Sequence, residues 1–300
     1  MGYQRTYPFG KINHAHYLAA LEQAHVLLNQ PIQRDLEWEL LGPVNIGGRI
    51  TDLAIHPDEP NTIYIGAASG GIYKTTDSGE NWEQVFNGTP VISIGDLAIN
   101  PNNSQVLYAG TGEANASSYS FLGDGIWKSL DGGENWQNSG LEESAYIARI
   151  IVDYHNPNRV FAAACGTLFS SNSQRGIYRS QDGGSSWVKE LGGGSTYYNN
   201  VEVTSNGIVY ATLSSDGLDK GIWRSVDGQN WTNITDANFP PVYGRIAIGI
   251  NPTNEDEVYF LAAETDGYGQ HTNVFFNGEA WTSLWKYEAN TGTWFDLSAN

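Results

Sequence analysis

Cysteine, positive charge and unbroken hydrophobic sequence are all scarce in this chain. Cys165 stands alone, which excludes an intrachain disulfide and any cysteine-based metal cage. Lying in an apolar run, it reads as a small buried strand residue rather than a nucleophile. Fifteen Lys and Arg against 33 Asp and Glu give a formal charge of −18. Nucleic acids and anionic membranes are held by basic patches, so neither is an expected partner. No apolar run approaches the ~20 residues needed to span a bilayer, so no direct membrane insertion is expected. Residues 1–10 are polar and aromatic, unlike a signal peptide, so the protein is either intracellular or numbered from behind a removed signal. P-loop, HExxH, dinucleotide and nucleophile motifs are missing as well, and no cofactor is expected.

What is plentiful is glycine (35), tyrosine (17) and tryptophan (10). Abundant turns with β-forming aromatics point to an all-β protein. The chain also repeats itself. GGIYKTTDSGENW (Gly70–Trp82) recurs as GIWKSLDGGENW (Gly125–Trp136), GIYRSQDGGSSW (Gly176–Trp187) and GIWRSVDGQNW (Gly221–Trp231). Its aspartates stand at 77, 131, 182 and 227, intervals of 54, 51 and 45 residues. Each unit holds four short alternating or apolar runs bounded by turn residues. Unit two, for example, reads SIGDLAINP, QVLYAGTGE, GDGIWKSLD and NWQNSGL. Four strands per ~40–50 residues, repeated, predict a β-propeller of four-stranded antiparallel blades. Residues 37–300 hold about five complete blades. Trp38 matches the fourth-strand tryptophans, which leaves an orphan outer strand at Trp38–Leu41. Such a strand predicts either an open arc or a natural protein that continues past Asn300 with further domains. Residues 1–36 are an N-terminal extension with one short amphipathic helix over HAHYLAALEQAHVLLN, ending before Pro31. Its His14, His16 and His25 read as exposed helix residues, not as a metal site.

The repeated motif has its own local chemistry. Asp77, Asp131, Asp182 and Asp227 are placed to accept turn amides, helped by the hydroxyls two residues before them. Gly79, Gly133 and Gly184 supply positive φ in a tight turn. Trp82, Trp136, Trp187 and Trp231 pack over the hairpin, while unit five keeps only Gly292 and Trp294. No metal is expected, because a five-residue turn offers too few oxygens for calcium. Ser/Thr-x-Asp-x-Gly-x-x-Trp resembles the Asp-box, or BNR, repeat of sialidases, sortilin-type receptors and xyloglucanase-type glycosidases. The resemblance implies that these aspartates are structural and lie away from the ligand face. The stretches WELLGPVNIGGRI, GAASGGIYKTTD and YAGTGE further resemble large secreted bacterial proteins with sortilin-like propellers. That likeness implies a secreted or cell-surface location.

Function is sought on the other face. Loops between second and third strands are long in units two, three and five and carry aromatics, and insertions on one face of a repeat protein mark a binding face. Tyr119, Phe121, Tyr268, His271 and Phe276 lie in them, and Tyr146, Tyr198 and Tyr243 lie in blade connections. Aromatics rimmed by Asn, Ser and Gly suit sugar rings or extended peptides. Candidate acids are Asp52 and Asp96 in first strands, and Glu113 and Glu264 at matching loop starts. Arg49, Arg149 and Arg245 near first-strand starts are the guanidinium type that holds a carboxylate, yet their registers differ. The expected function is a non-catalytic binding and scaffold propeller for peptide or glycan. The alternative is a glycoside hydrolase, xyloglucanase-like or sialidase-like, using those four acids; a purely structural module is a third reading.

Overall fold

The computed structural model describes residues 13–28, 48–115, 120–168, 172–193, 197–274 and 278–298. Among the described residues the protein is all-β apart from one N-terminal helix and a 3₁₀ turn. Blade one comprises β1 (Ile50–Ile55), β2 (Ile63–Ala67), β3 (Gly71–Thr75) and β4 (Glu83–Gln84). Blade two comprises β5 (Ile94–Ile99), β6 (Leu107–Thr111), β7 (Ile126–Ser129) and β8 (Gln137–Asn138). Blade three has β9 (Ile147–Val152), β10 (Val160–Ala164), β11 (Gly176–Ser180) and β12 (Val188–Leu191). Blade four has β13 (Asn199–Val203), β14 (Val209–Leu213), β15 (Gly221–Ser225) and β16 (Trp231–Asn233). Blade five has β17 (Ile246–Ile250), β18 (Glu257–Ala263), β19 (Gln270–Val274), β20 (Gly278–Glu288) and β21 (Thr293–Asp296). Every neighbouring pair is antiparallel.

First strands are innermost and pack in succession, β1 on β5, β5 on β9, β9 on β13 and β13 on β17. Among the described residues no such packing joins β17 to β1. The proposed orphan strand at Trp38–Leu41 lies outside the described residues.

The core sits between blades. Tyr64, Ile72 and Phe86 of blade one bury against Ile94, Leu97, Leu107 and Ala109 of blade two. Each Ile, Leu or Phe side chain among them contributes about 1.5–3 kcal/mol when fully buried. Close approach is set by small residues in second strands. A Cβ on Gly66 would lie 2.7 Å from the Ile94 side chain, and one on Gly110 2.6 Å from Ile147.

The Asp hairpins are networks of short-range bonds. Asp131 Oδ1 accepts from Ser129 Oγ (2.8 Å) and the Asn135 amide (2.8 Å), and Oδ2 accepts from Asn135 Nδ2 (2.8 Å). Asp77 and Asp182 are held alike. These bonds favour the charged form and hold Asp77, Asp131 and Asp182 down at about 2. The tryptophan does more than cover its own hairpin. Trp136 Nε1 donates to Gly133 O (2.9 Å) and to Val85 O of the preceding blade (2.8 Å). Trp187 Nε1 likewise donates to Ser139 O (2.6 Å). The reverse bond comes from the preceding second strand: Tyr64 donates to Gly132 O (2.9 Å) and Tyr108 to Gly183 O (3.0 Å).

Helix α1 (His14–Leu28) lies against the face of the 2–3 loops. Tyr17 and Leu21 pack on the core shared by blades one and two. Tyr17 donates to Leu122 O (2.9 Å), and His14 Nε2 bonds Glu142 O (2.8 Å). His14 is therefore buried rather than exposed, and burial pulls its pKa down.

Candidate functional site

Strand-one starts and strand-two ends converge at the 2–3 loop face. There they line a polar cavity of about 160 Å³, with Thr51, Asp96, Asn115, Tyr198, Asn200 and Arg245 among its walls. Arg49 and Arg245 reach this mouth from blades one and five and end on one loop of blade two. Arg49 Nη2 pairs with Glu113 Oε2 at 2.6 Å. Arg245 donates to Asn115 Oδ1 (2.8 Å) and Ala114 O (3.1 Å), and its guanidinium lies 4.8 Å from the Tyr198 ring centroid. Such a cation–aromatic pair fixes a flat surface at the rim.

Arg149 lies deeper and bridges two carboxyls, Asp96 (3.3 Å) and Glu202 (2.7 Å). The candidate acids separate into tied and accessible groups. Asp52 Oδ2 accepts the Leu97 amide (2.9 Å) and Asp96 Oδ2 the Ile150 amide (2.6 Å), so each joins its blade to the next. Burial pushes Asp96 up to about 7 against the pull of Arg149, with Asp52 nearby adding to the rise. Glu113 is buried, with Ser120 Oγ donating at 3.3 Å beside its Arg49 partner. Glu264 alone of the four is exposed. Its backbone is left-handed (φ 59°), uncommon for a non-glycine residue, and Gly244 lets its carboxylate lie close: a Cβ there would be 2.2 Å from Oε2. Glu264 thus sits beside Arg245 at the mouth.

The aromatic candidates do not gather. Tyr198 is at the mouth. Tyr146 is fully buried under the loops with Cys165 and Leu168, and Tyr243 is buried against Phe239 (centroids 5.3 Å). Both are core residues, because the blade connections they occupy turn inward before each first strand. Phe121 is exposed on the blade-two loop. His271 belongs to a β-ribbon rather than a loop, since β19 pairs with the first half of β20, and Tyr268 lies in the turn that leads into it. Tyr268 donates to Asp296 (2.6 Å) in the outermost strand, and His271 lies 5.0 Å from the Trp281 ring. Tyr119 and Phe276 lie outside the described residues. Glu202, Asn115 and Asn200 went unnoticed in the sequence, because alternation places an acid or amide at a strand position without saying which way the blade turns it.

A β-propeller with a charged, arginine-rimmed channel mouth is the class these features define. No family model matches the chain. It is similar to Xyloglucanase Xgh74A of Acetivibrio thermocellus, 25% identical over 79% of this chain and 32% of that protein. It is also similar to a xyloglucanase of a Paenibacillus species, 22% identical over 83% of the chain and 28% of the relative. The chain thus spans about a third of the length of these relatives. Among solved structures, an ancestral GH74 enzyme matches with a TM-score of 0.64 at 24% identity, over 88% of this chain and 33% of that one, which shows the shared fold. The expectation of a non-catalytic binder is corrected by these relatives. They are named for xyloglucan cleavage and favour the hydrolase alternative.

Proposed function

We propose that this chain is a propeller of a secreted or surface glycoside hydrolase acting on a xyloglucan-type glycan. The observation that carries the reading is the similarity to xyloglucanases along four-fifths of the chain. The charged mouth supports it: Tyr198 and Arg245 form a platform for a sugar ring, and Asn115 and Asn200 are suited to hydroxyl groups. The repeated hairpins are read as Asp boxes, and their bonded, acid-shifted carboxylates support a structural role.

Glycoside hydrolysis uses two carboxyl groups about 5–9.5 Å apart. Asp52, Asp96 and Glu113 are engaged with backbone amides or Arg49, whereas Glu264 faces solvent. Glu264 is therefore the carboxylate we assign to chemistry, and its partner stands on whatever part of the longer enzyme faces the mouth. The test is release of reducing ends from xyloglucan by the longest natural polypeptide that contains this chain. Glu264→Gln is expected to lower kcat by roughly 10²–10⁴-fold, the usual worth of one acid–base group, with little change in KM. Full activity in that variant overturns the assignment. Absence of xyloglucan hydrolysis by the unmutated polypeptide overturns the reading.

A further inference from the structure

Helix α1 lies outside every blade, and few groups hold it to the propeller. Tyr17 and Leu21 pack on the core of blades one and two, Tyr17 donates to Leu122 O (2.9 Å), and His14 Nε2 lies 2.8 Å from Glu142 O. Val26 and Leu27 in its last turn are 56% and 55% exposed. An element with so few buried contacts opens more readily than the sheets beneath it.

His14 holds its place as a neutral ring. A carbonyl only accepts, so Nε2 carries the proton and donates to Glu142 O, which leaves Nδ1 as a bare acceptor. Nδ1 is buried and meets no donor among the described residues. The ring is stacked on Tyr17 (centroids 5.8 Å) and is 9% exposed. A second proton would have to sit on Nδ1, where neither water nor an acceptor reaches it. The titratable groups around the ring are Glu142 and Glu143 of the 3₁₀ turn, Tyr17 of the helix, and Asp124 of the blade-two loop beside Tyr17. Blade three brings Gln174, which donates to Glu143 (2.9 Å), and Lys189, which donates to Ser173 O (2.7 Å) next to His14. Burial pulls the His14 pKa below its ordinary 6.5, against the opposing effects of the Glu142 carbonyl and the Glu143 charge.

The turn that receives His14 is strained. Leu141 and Ala145, on either side of Glu142–Ser144, are left-handed (φ 61° and 57°), a conformation that residues other than glycine avoid. The strand that follows, β9, carries Ala148 on the wall of the mouth cavity. The acceptor of Tyr17, Leu122, lies on the loop that opens with Glu113, Ala114 and Asn115, the partners of Arg49 and Arg245. The helix is thus fastened to two segments that lead to the mouth.

We propose that helix α1 is an acid-released strap: neutral His14 locks it across the loop face of blade two, and the imidazolium releases it and frees the two segments behind it. The docked helix holds fewer protons than the free one. Docking is therefore fully favoured above about pH 6.5 and weakens as pH falls toward the folded value of His14, by up to about tenfold per pH unit.

Amide hydrogen exchange between about pH 7.5 and 4.5, corrected for the intrinsic exchange rate, tests this. In the unmutated chain the protection of residues 14–28 is expected to hold down to about pH 6.5 and then to fall by up to about tenfold per unit, while β10 shows no such fall. His14→Gln keeps a donor for Glu142 O and cannot take a proton, so its helix is expected to stay protected throughout. Ring-nitrogen NMR shifts of His14 in the unmutated chain give a reading that no variant's stability disturbs: a bare Nδ1, a protonated Nε2 and a midpoint below about 6.5 are expected. Helix protection that stays constant across this range overturns the proposal, as does a His14→Gln helix that loses protection with the parent's slope. Where His14→Gln leaves the helix unprotected at every pH, the ring midpoint decides: below about 6.5 it upholds the strap, and at or above that value it overturns it.

Discussion

At the scale of single residues, Asp96 shows how position rather than identity sets chemistry. It shares a sequence pattern with Asp52, IGDLAI against ITDLAI, and makes the same kind of bond to the next blade. Only Asp96 is fully enclosed, and burial takes it from 3.8 to about 7. The raised folded value means the folded state holds the proton more tightly than the unfolded chain. Stability from this group is therefore complete below about pH 4 and lost as pH rises toward about 7, by up to about 4 kcal/mol. Asp96→Asn cannot ionise, so urea titrations from pH 4 to 8 are expected to show that slope in the parent and a much flatter one in the variant. An equal slope in both assigns the pH dependence elsewhere.

At the scale of elements, the Asp hairpin is a joint between blades. Its carboxylate organises a turn, its tryptophan reaches back to the preceding blade, and its carbonyl receives a tyrosine from that blade. Trp136 and Trp82 occupy the same motif position, yet only Trp136 has an inter-blade acceptor, Val85 O. Trp136→Phe is expected to cost about 1–3 kcal/mol, a lost part-buried hydrogen bond with an orphaned carbonyl. Trp82→Phe, at a site 41% exposed, is expected to cost less than half of that, by denaturant unfolding of both variants side by side. The blade-five ribbon shows the opposite case: the same 2–3 position that carries a loop elsewhere is paired β-structure, because Gln270–Val274 finds register with Gly278–Thr282.

At the scale of the whole molecule, stability comes from stacked sheets, so each blade face depends on its neighbour. Leu97 and Leu53 are equivalent by register, paired with Ala109 and Ile65. Leu97→Ala is expected to cost about 2–5 kcal/mol as a core truncation, and Leu53→Ala under about 1 kcal/mol. Comparable losses in thermal melts would mean that blade one's leading face is already covered in this chain. The channel follows the same logic. Arg149 bonds both buried Asp96 of blade two and half-buried Glu202 of blade four, which holds those blades around the axis while leaving the mouth to Arg49, Arg245 and Glu264.

The repeat itself determined the propeller, because period, alternation and turn chemistry are local and recur in every unit. The structural character of the hairpin aspartates was legible for the same reason: donor, acceptor and turn lie within a few residues. Which aromatics are core and which reach the mouth was decided only in three dimensions. Tyr146, Tyr198 and Tyr243 all precede first strands, and the packing of neighbouring loops buries two and leaves one at the rim. The same holds for the acids. Glu113 and Glu264 look alike along the chain, but Arg49 arrives from another blade to claim Glu113, while the left-handed turn at Glu264 carries it into solvent. Partners separated by 64 residues, as Arg49 and Glu113 are, leave no trace in a local pattern. The curved stacking of successive sheets around the axis is what brings them together.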